Sequence, residues 1–182
     1  VAECGFDVFE RDDGMRPEGP DGAYDPRGAL AYNDWLRAKG YDSDNPWHDF
    51  ANSALDADGK IRSGWFLKNS AFAANIDEPD SETPYLTTRA MDFMEQAEGP
   101  WCCHLSYIKP HWPYIVPEPY ANMYGPEHVL PVVRSEAERQ QAHPVLKAFM
   151  DTPVGQSFSR EDVRAAVIPA YMGLIKQVDD QM

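Results

Sequence analysis

The apolar residues of this chain recur at helical spacing in some stretches and run continuously in others, and the change of pattern divides it into elements. Leu30, Tyr32, Trp35 and Leu36 fall on one side of a helix predicted over Arg27–Lys39, with Gly40 as its stop. A second helix takes Thr83 as its cap and Pro84 in its first turn, and carries Leu86, Ala90, Phe93, Met94 and Ala97 inward. Gly99-Pro100 ends it, and Arg89 and Glu95 on its polar side are solvated charges. Trp101 to Ile108 is then a bulky, mostly apolar run of the length of one central strand, so it is predicted as a buried strand.

Further on, Pro117 to Tyr124 suits a short helix or turn, and Ser135 to Met150 is helical but interrupted near His143-Pro144. His143 there takes a structural place at a helix end. The last helix is predicted from Ser159, with Asp162 completing a capping-box-like arrangement and Pro169 bending it. Val163, Val167, Tyr171, Leu174, Ile175 and Val178 make its core face. Asp179 and Asp180 are adjacent, point about a hundred degrees apart on a helix, and are assigned to structure.

Two stretches lack either period. Arg11 to Pro26 is rich in Gly, Pro and Asp and is a surface loop, with Asp12-Asp13 as solvated charges. Tyr41 to Ile76 is long and irregular, clustering Asn45-Pro-Trp-His48, Asn52-Ser53 and Gly64-Trp-Phe66. Loops of that length commonly bind something, so His48, Asn52 and Trp65 are candidate substrate-pocket residues beside the alternative of a surface excursion packed by its own aromatics. The helix–loop–strand order from Thr83 to Ile108 suits a crossover in a mainly parallel sheet, and the fold class is α/β.

The candidate chemistry follows the predicted strand, in Lys109-Pro-His-Trp-Pro-Tyr114. Pro110 and Pro113 disfavour both strand pairing and a helix, and each biases its predecessor toward an extended conformation. Lys109 and His111 are therefore expected on a stiff loop at the strand's carboxyl end, the edge where open α/β sheets bind ligands. A histidine beside a cation can neutralise an oxyanion and protonate a leaving oxygen; the same pair also suits a solvated turn. His104 and His128 offer no ligand spacing; the first is structural, the second exposed.

Charge narrows the partners. A net charge of −14 over 182 residues repels nucleic acid and anionic membrane surfaces, and no apolar run is long enough to span a bilayer. A small anionic ester needs only local cations, and homo-oligomerisation is compatible with this composition. Three cysteines, Cys4, Cys102 and Cys103, give no disulfide framework, which favours reduced thiols and a cytoplasmic location.

The loop from Lys109 to Tyr114, followed by Pro117, Pro119, Tyr120 and Tyr124, resembles the histidine element of the sulfatase branch of the alkaline phosphatase superfamily. His143-Pro144 through Asp151, Gly155 to Phe158, and Tyr171 to Asp180 extend the likeness toward the phosphonate monoester hydrolases, which cleave phosphonate monoesters and phosphodiesters. Glu3 to Asp12 and Tyr32 to Tyr41 fit the family's strand and helix ahead of that loop. The resemblance implies the central part of a three-layer αβα sandwich with a mostly parallel sheet.

That family also needs a metal-binding aspartate pair, a Cys/Ser-x-Pro-x-Arg nucleophile motif and an Asp-His/Asn-Gly metal motif, and none of these is in the sequence. Residues 1–182 are therefore expected to be the middle of a longer catalytic domain, truncated at both ends and inactive alone. The resemblance implies a divalent metal (Mn, Ca, Zn or Mg) and a formylglycine nucleophile held outside this chain. It implies a catalytic role for His111, as proton donor to the leaving oxygen, and for Lys109, as a source of positive potential. Tyr114 joins His48, Asn52 and Trp65 as a substrate-binding candidate. The expected activity is hydrolysis of phosphonate monoesters and phosphodiesters; an arylsulfatase, or a noncatalytic binding remnant of the same fold, are the alternatives.

Overall fold

The computed structural model describes residues 5–10 and 31–182, and these make a mixed α/β chain. In the predicted first helix, α1 runs Ala31–Ala38, buries Tyr32 and Leu36, and stops before Gly40, whose φ of +98° suits a residue without Cβ. The predicted start at Arg27, the loop at Arg11–Pro26 with Asp12-Asp13, and Cys4 lie outside the described residues.

The stretch from Tyr41 to Ile76 is more ordered than its lack of period suggested. It holds a short π-helical turn at Trp47–Ala51, strands β1 (Ser53–Leu55) and β2 (Ile61–Ser63), and a 3-10 turn at Leu67–Ala71. The strands pair antiparallel with Ala54 opposite Arg62. Asp56 makes the turn between them by accepting the backbone N–H groups of Asp58 and Lys60, and Gly59 takes the positive φ that follows. This antiparallel hairpin is the sheet found among the described residues, and the expected mostly parallel sheet is not seen in them.

Helix α2 spans Glu82–Gln96 and α6 spans Glu161–Gln181. The first starts at Ser81 rather than Thr83: Thr83 is buried inside the first turn, and its carbonyl accepts from the Thr87 hydroxyl. The second starts after Arg160, not at Ser159, and no side chain caps it, so the capping box is not formed. Pro169 lies within α6. Between them α3 (Glu136–Gln140), α4 (Pro144–Met150) and α5 (Pro153–Phe158) are short, as the interruption at His143-Pro144 predicted. The His143 ring accepts from the N–H of Val145 and caps α4. A 3-10 turn at Tyr120–Asn122 occupies the predicted short helix.

Trp101–Ile108 departs most from expectation. It takes no regular secondary structure and joins no strand among the described residues, and Trp101, Cys102, His104 and Leu105 are exposed rather than buried. An extended run becomes a buried strand only when neighbours take up its backbone N–H and C=O groups. Its one described covering is partial: α2 and residues 6–10 form a groove along it, with Arg89 of α2 exposed as expected and paired to Glu10 and Asp92.

Two apolar clusters lie behind the hairpin and behind α6. Tyr32, Leu36, Trp47, Tyr85 and Ile115 belong to the first, and Val116, Tyr120, Ala170 and Leu174 to the second. Ile115 belongs to the first cluster and its neighbour Val116 to the second, which joins the clusters directly after the histidine loop. Two glycines allow close approach: a Cβ on Gly64 would lie 2.4 Å from the carbonyl oxygen of Asn52, and one on Gly173 would lie 2.6 Å from that of Tyr120. The far end of α6 is fixed by Gln177, buried, donating to Glu78 and Ser81, and by Asp180, accepting from the Tyr120 hydroxyl. No helix among the described residues is long and apolar enough to cross a membrane.

Candidate functional site

The histidine loop is held from inside. Lys109 is buried rather than presented at a strand mouth, and its ammonium donates to Asn52 Oδ1 at 2.8 Å and to the carbonyl of Pro113 at 2.9 Å. The side chain thus closes a ring over its own loop and ties that loop to the residue preceding β1. Burial pulls the Lys109 ammonium down from its usual 10.5 to about 8, and the carboxylate of Glu82 opposes that shift. Burial pushes the Glu82 carboxyl up, against the opposing influence of Lys109 and of the Trp47 indole N–H. The expectation that Lys109 meets an anionic ester is therefore corrected: its donors are turned inward, where a buried ammonium must find partners.

His111 is the exposed member of the pair. Its Nδ1 lies 2.7 Å from the carbonyl oxygen of Trp112. A carbonyl can only accept, so Nδ1 carries the proton and Nε2 is left for an outside partner. Protonated, the ring would offer an N–H at Nε2 without losing the bond that orients it.

His111 opens on a cleft of about 450 Å³. One wall is the histidine loop with Trp112 and Tyr114, a second is Trp65 to Lys68, and the third is α5 and the start of α6. Trp65 stands edge-on to Trp112, ring centres 4.5 Å apart. Its indole N–H donates to His48 Nδ1 at 2.9 Å, which requires His48 to carry its proton on Nε2. Tyr114 is braced edge-to-face by Phe158 and Tyr171.

Of the sequence-predicted residues, His111, Trp65 and Tyr114 line this cleft, whereas His48 and Asn52 stand behind it, one steadying Trp65 and the other Lys109. Lys68, Arg160 and Trp112 also line it and were not singled out from the sequence. Lys68 is exposed and has no ion-pair partner among the described residues; Arg160 pairs with Asp162. Among the described residues the lining contains Lys68, Arg160 and His111 but no carboxylate, on a chain whose net charge is −14. Spacing gave no route to Lys68 or Arg160, because they converge from segments about ninety residues apart.

Among the described residues no group of three or more His, Cys, Asp or Glu side chains is placed to hold a metal ion. The described residues do not fit such a centre.

No protein-family model matches the sequence. A multifunctional alkaline phosphatase superfamily protein, PehA, from Trinickia caryophylli is 28% identical over 120 residues, which are 59% of this chain and 23% of that protein. The phosphonate monoester hydrolase of Silicibacter pomeroyi superposes with a TM-score of 0.65 at 26% identity, over 83% of this chain and 30% of that one. The chain resembles the phosphonate monoester hydrolases of the alkaline phosphatase superfamily. The fold likeness extends to the phosphonate monoester hydrolase of Agrobacterium radiobacter, with a TM-score of 0.64 at 19% identity over 83% of this chain and 31% of that one. The chain spans under a third of the length of each of these relatives.

Proposed function

We propose that this chain carries the leaving-group side of the active site in a hydrolase of phosphonate monoesters and phosphodiesters. The observation that carries the reading is the carboxylate-free cleft, in which His111, Lys68 and Arg160 meet aromatic walls on a strongly acidic chain. Positive potential confined to one cleft admits an anionic ester that the rest of the surface repels. The relative from Silicibacter pomeroyi, a phosphonate monoester hydrolase, gives the ester its class.

In this reading Lys68 and Arg160 attract the anionic ester, and Trp65, Trp112 and Tyr114 pack against its organic part. The Nδ1–H bond to Trp112 holds the His111 ring, and Nε2 of the imidazolium donates its proton to the departing ester oxygen. Lys109 acts through the loop and not on the substrate. The divalent metal and formylglycine implied by the family resemblance would be held by residues other than those of this chain and would supply the nucleophile and its activation. The chain by itself is then inactive, and the uninterrupted gene product is the enzyme.

Turnover of a phenylphosphonate monoester beside a phenyl sulfate by that gene product tests the proposal. Preference for the sulfate would reassign it as an arylsulfatase, and silence on both would leave a noncatalytic remnant.

A further inference from the structure

Glu82 is a buried acid that the proposed reaction does not use. It sits in the first turn of α2, 3% exposed, with Oε1 accepting the Trp47 indole N–H at 3.2 Å and Oε2 without a hydrogen-bond partner. An orphaned carboxylate oxygen in a core is costly unless an opposite charge compensates it. The compensating charge is Lys109, whose two hydrogen bonds both go to neutral oxygens, leaving its ammonium equally short of a counter-ion. Glu82 is the carboxylate that acts on it. The two form no salt bridge, and Glu82 acts on the Lys109 ammonium through its field.

The bonds between them form one chain. Trp47 donates its indole N–H to Glu82, its carbonyl accepts from Asn52 Nδ2, Asn52 Oδ1 accepts from Lys109, and Lys109 holds the Pro113 carbonyl. The next peptide back, between Trp112 and Pro113, carries the carbonyl that orients the His111 ring.

We propose that Glu82 is a positioning residue for His111: its buried charge keeps the Lys109 ammonium clamped on the histidine loop, and the clamp fixes the Trp112 carbonyl that sets the imidazole tautomer. The inference rests on the reading of His111 as the proton donor of this site. Its direct readout, however, is the ring itself.

The test is the tautomer of His111 in the 182-residue chain labelled with ¹⁵N-histidine, observed by long-range ¹H–¹⁵N correlation just above neutral pH. Lys109 is still mostly protonated there, and the two tautomers are distinguished in the neutral ring. The wild type is expected to show the Nδ1–H tautomer. Glu82→Gln, which retains an acceptor for Trp47 but removes the charge, is expected to give a mixture of tautomers, and Glu82→Asp to restore most of the single form. The double variant Glu82→Leu/Lys109→Met removes both charges, so it keeps the core folded and is also expected to give a mixture. A single Nδ1–H tautomer in Glu82→Gln or in the double variant would overturn the proposal, whatever the change in melting temperature.

In the uninterrupted gene product Glu82→Gln is expected to lower kcat on the order of tenfold, part of what a positioned acid supplies, with KM held. If that product does not hydrolyse either ester while the tautomer responds to Glu82, the hydrolase reading fails and the clamp stands. An active enzyme whose His111 ignores Glu82 overturns the clamp alone.

Discussion

Lys109 donates to the carbonyl of Pro113, four residues along its own loop, at 2.9 Å, and that bond turns a proline-flanked histidine into a fixed one. Removing the ammonium should be felt as stability as well as activity. Lys109→Ala leaves Glu82 buried without compensation and is expected to cost about 3–5 kcal/mol in urea unfolding. Glu82→Leu/Lys109→Met should cost markedly less. Equal losses for the two variants would show that the charges do not act as a pair.

The same ammonium gives the fold a pH signature. Lys109 titrates near 8 when folded and near 10.5 when unfolded, so between those values the unfolded state binds more protons. Stability should therefore rise with pH across that window, by up to about 3 kcal/mol relative to Lys109→Met. Tyr41 and Tyr120, each pushed up to about 12 chiefly by burial, remain protonated in the folded state there and act only above the ordinary tyrosine range. Thermal melts of the two proteins from pH about 8 to 10 check the slope; a flat difference would mean that Lys109 is not desolvated.

Lys68 is a cleft cation without a carboxylate partner among the described residues, and Arg160 is partly neutralised by Asp162. Lys68→Ala should raise KM for an anionic ester by roughly three- to tenfold, the size of a surface charge effect, and the difference should shrink in high salt. Arg160→Ala should do less. A KM that ignores both variants would remove the cleft from substrate binding.

Gly64 receives the carbonyl of Asn52 against its Cα and sits beside Ile115, where a Cβ would come within 2.5 Å of the isoleucine side chain. Gly64→Ala is expected to destabilise by about 1–3 kcal/mol and to disturb Asn52, and with it Lys109. Chemical denaturation measures the first effect and the tautomer of His111 the second; wild-type behaviour in both would show that the hairpin is free to shift.

The helices were legible because their apolar faces repeat: Tyr32 with Leu36, and Val163, Val167 and Leu174, are buried as their spacing predicted, whereas Tyr171 and Ile175 of the same predicted face are exposed. The histidine loop was legible as a stiff segment from its two prolines, and its His111 is exposed at a cleft. The hairpin was missed although Asp58-Gly59 lies between Ser53-Ala-Leu55 and Ile61-Arg-Ser63, a strong turn signal with strands too short to show alternation. Burial of Lys109 was not legible, because it depends on Asn52 and Glu82, which are distant in sequence and bear no pattern linking them to it. Trp101–Ile108 shows the converse limit: apolar composition predicts where a strand belongs, while its burial is decided by which chains lie beside it.

The most direct test of the central claim is hydrolysis of a phenylphosphonate monoester and a phenyl sulfate, with metal added, by the uninterrupted gene product and its His111→Ala variant. Phosphonate turnover should lead, and His111→Ala should lower kcat by about a hundredfold to ten-thousandfold while leaving the melting temperature in place, since His111 is exposed. Full activity in His111→Ala would contradict the assignment of the cleft as the leaving-group side of the site.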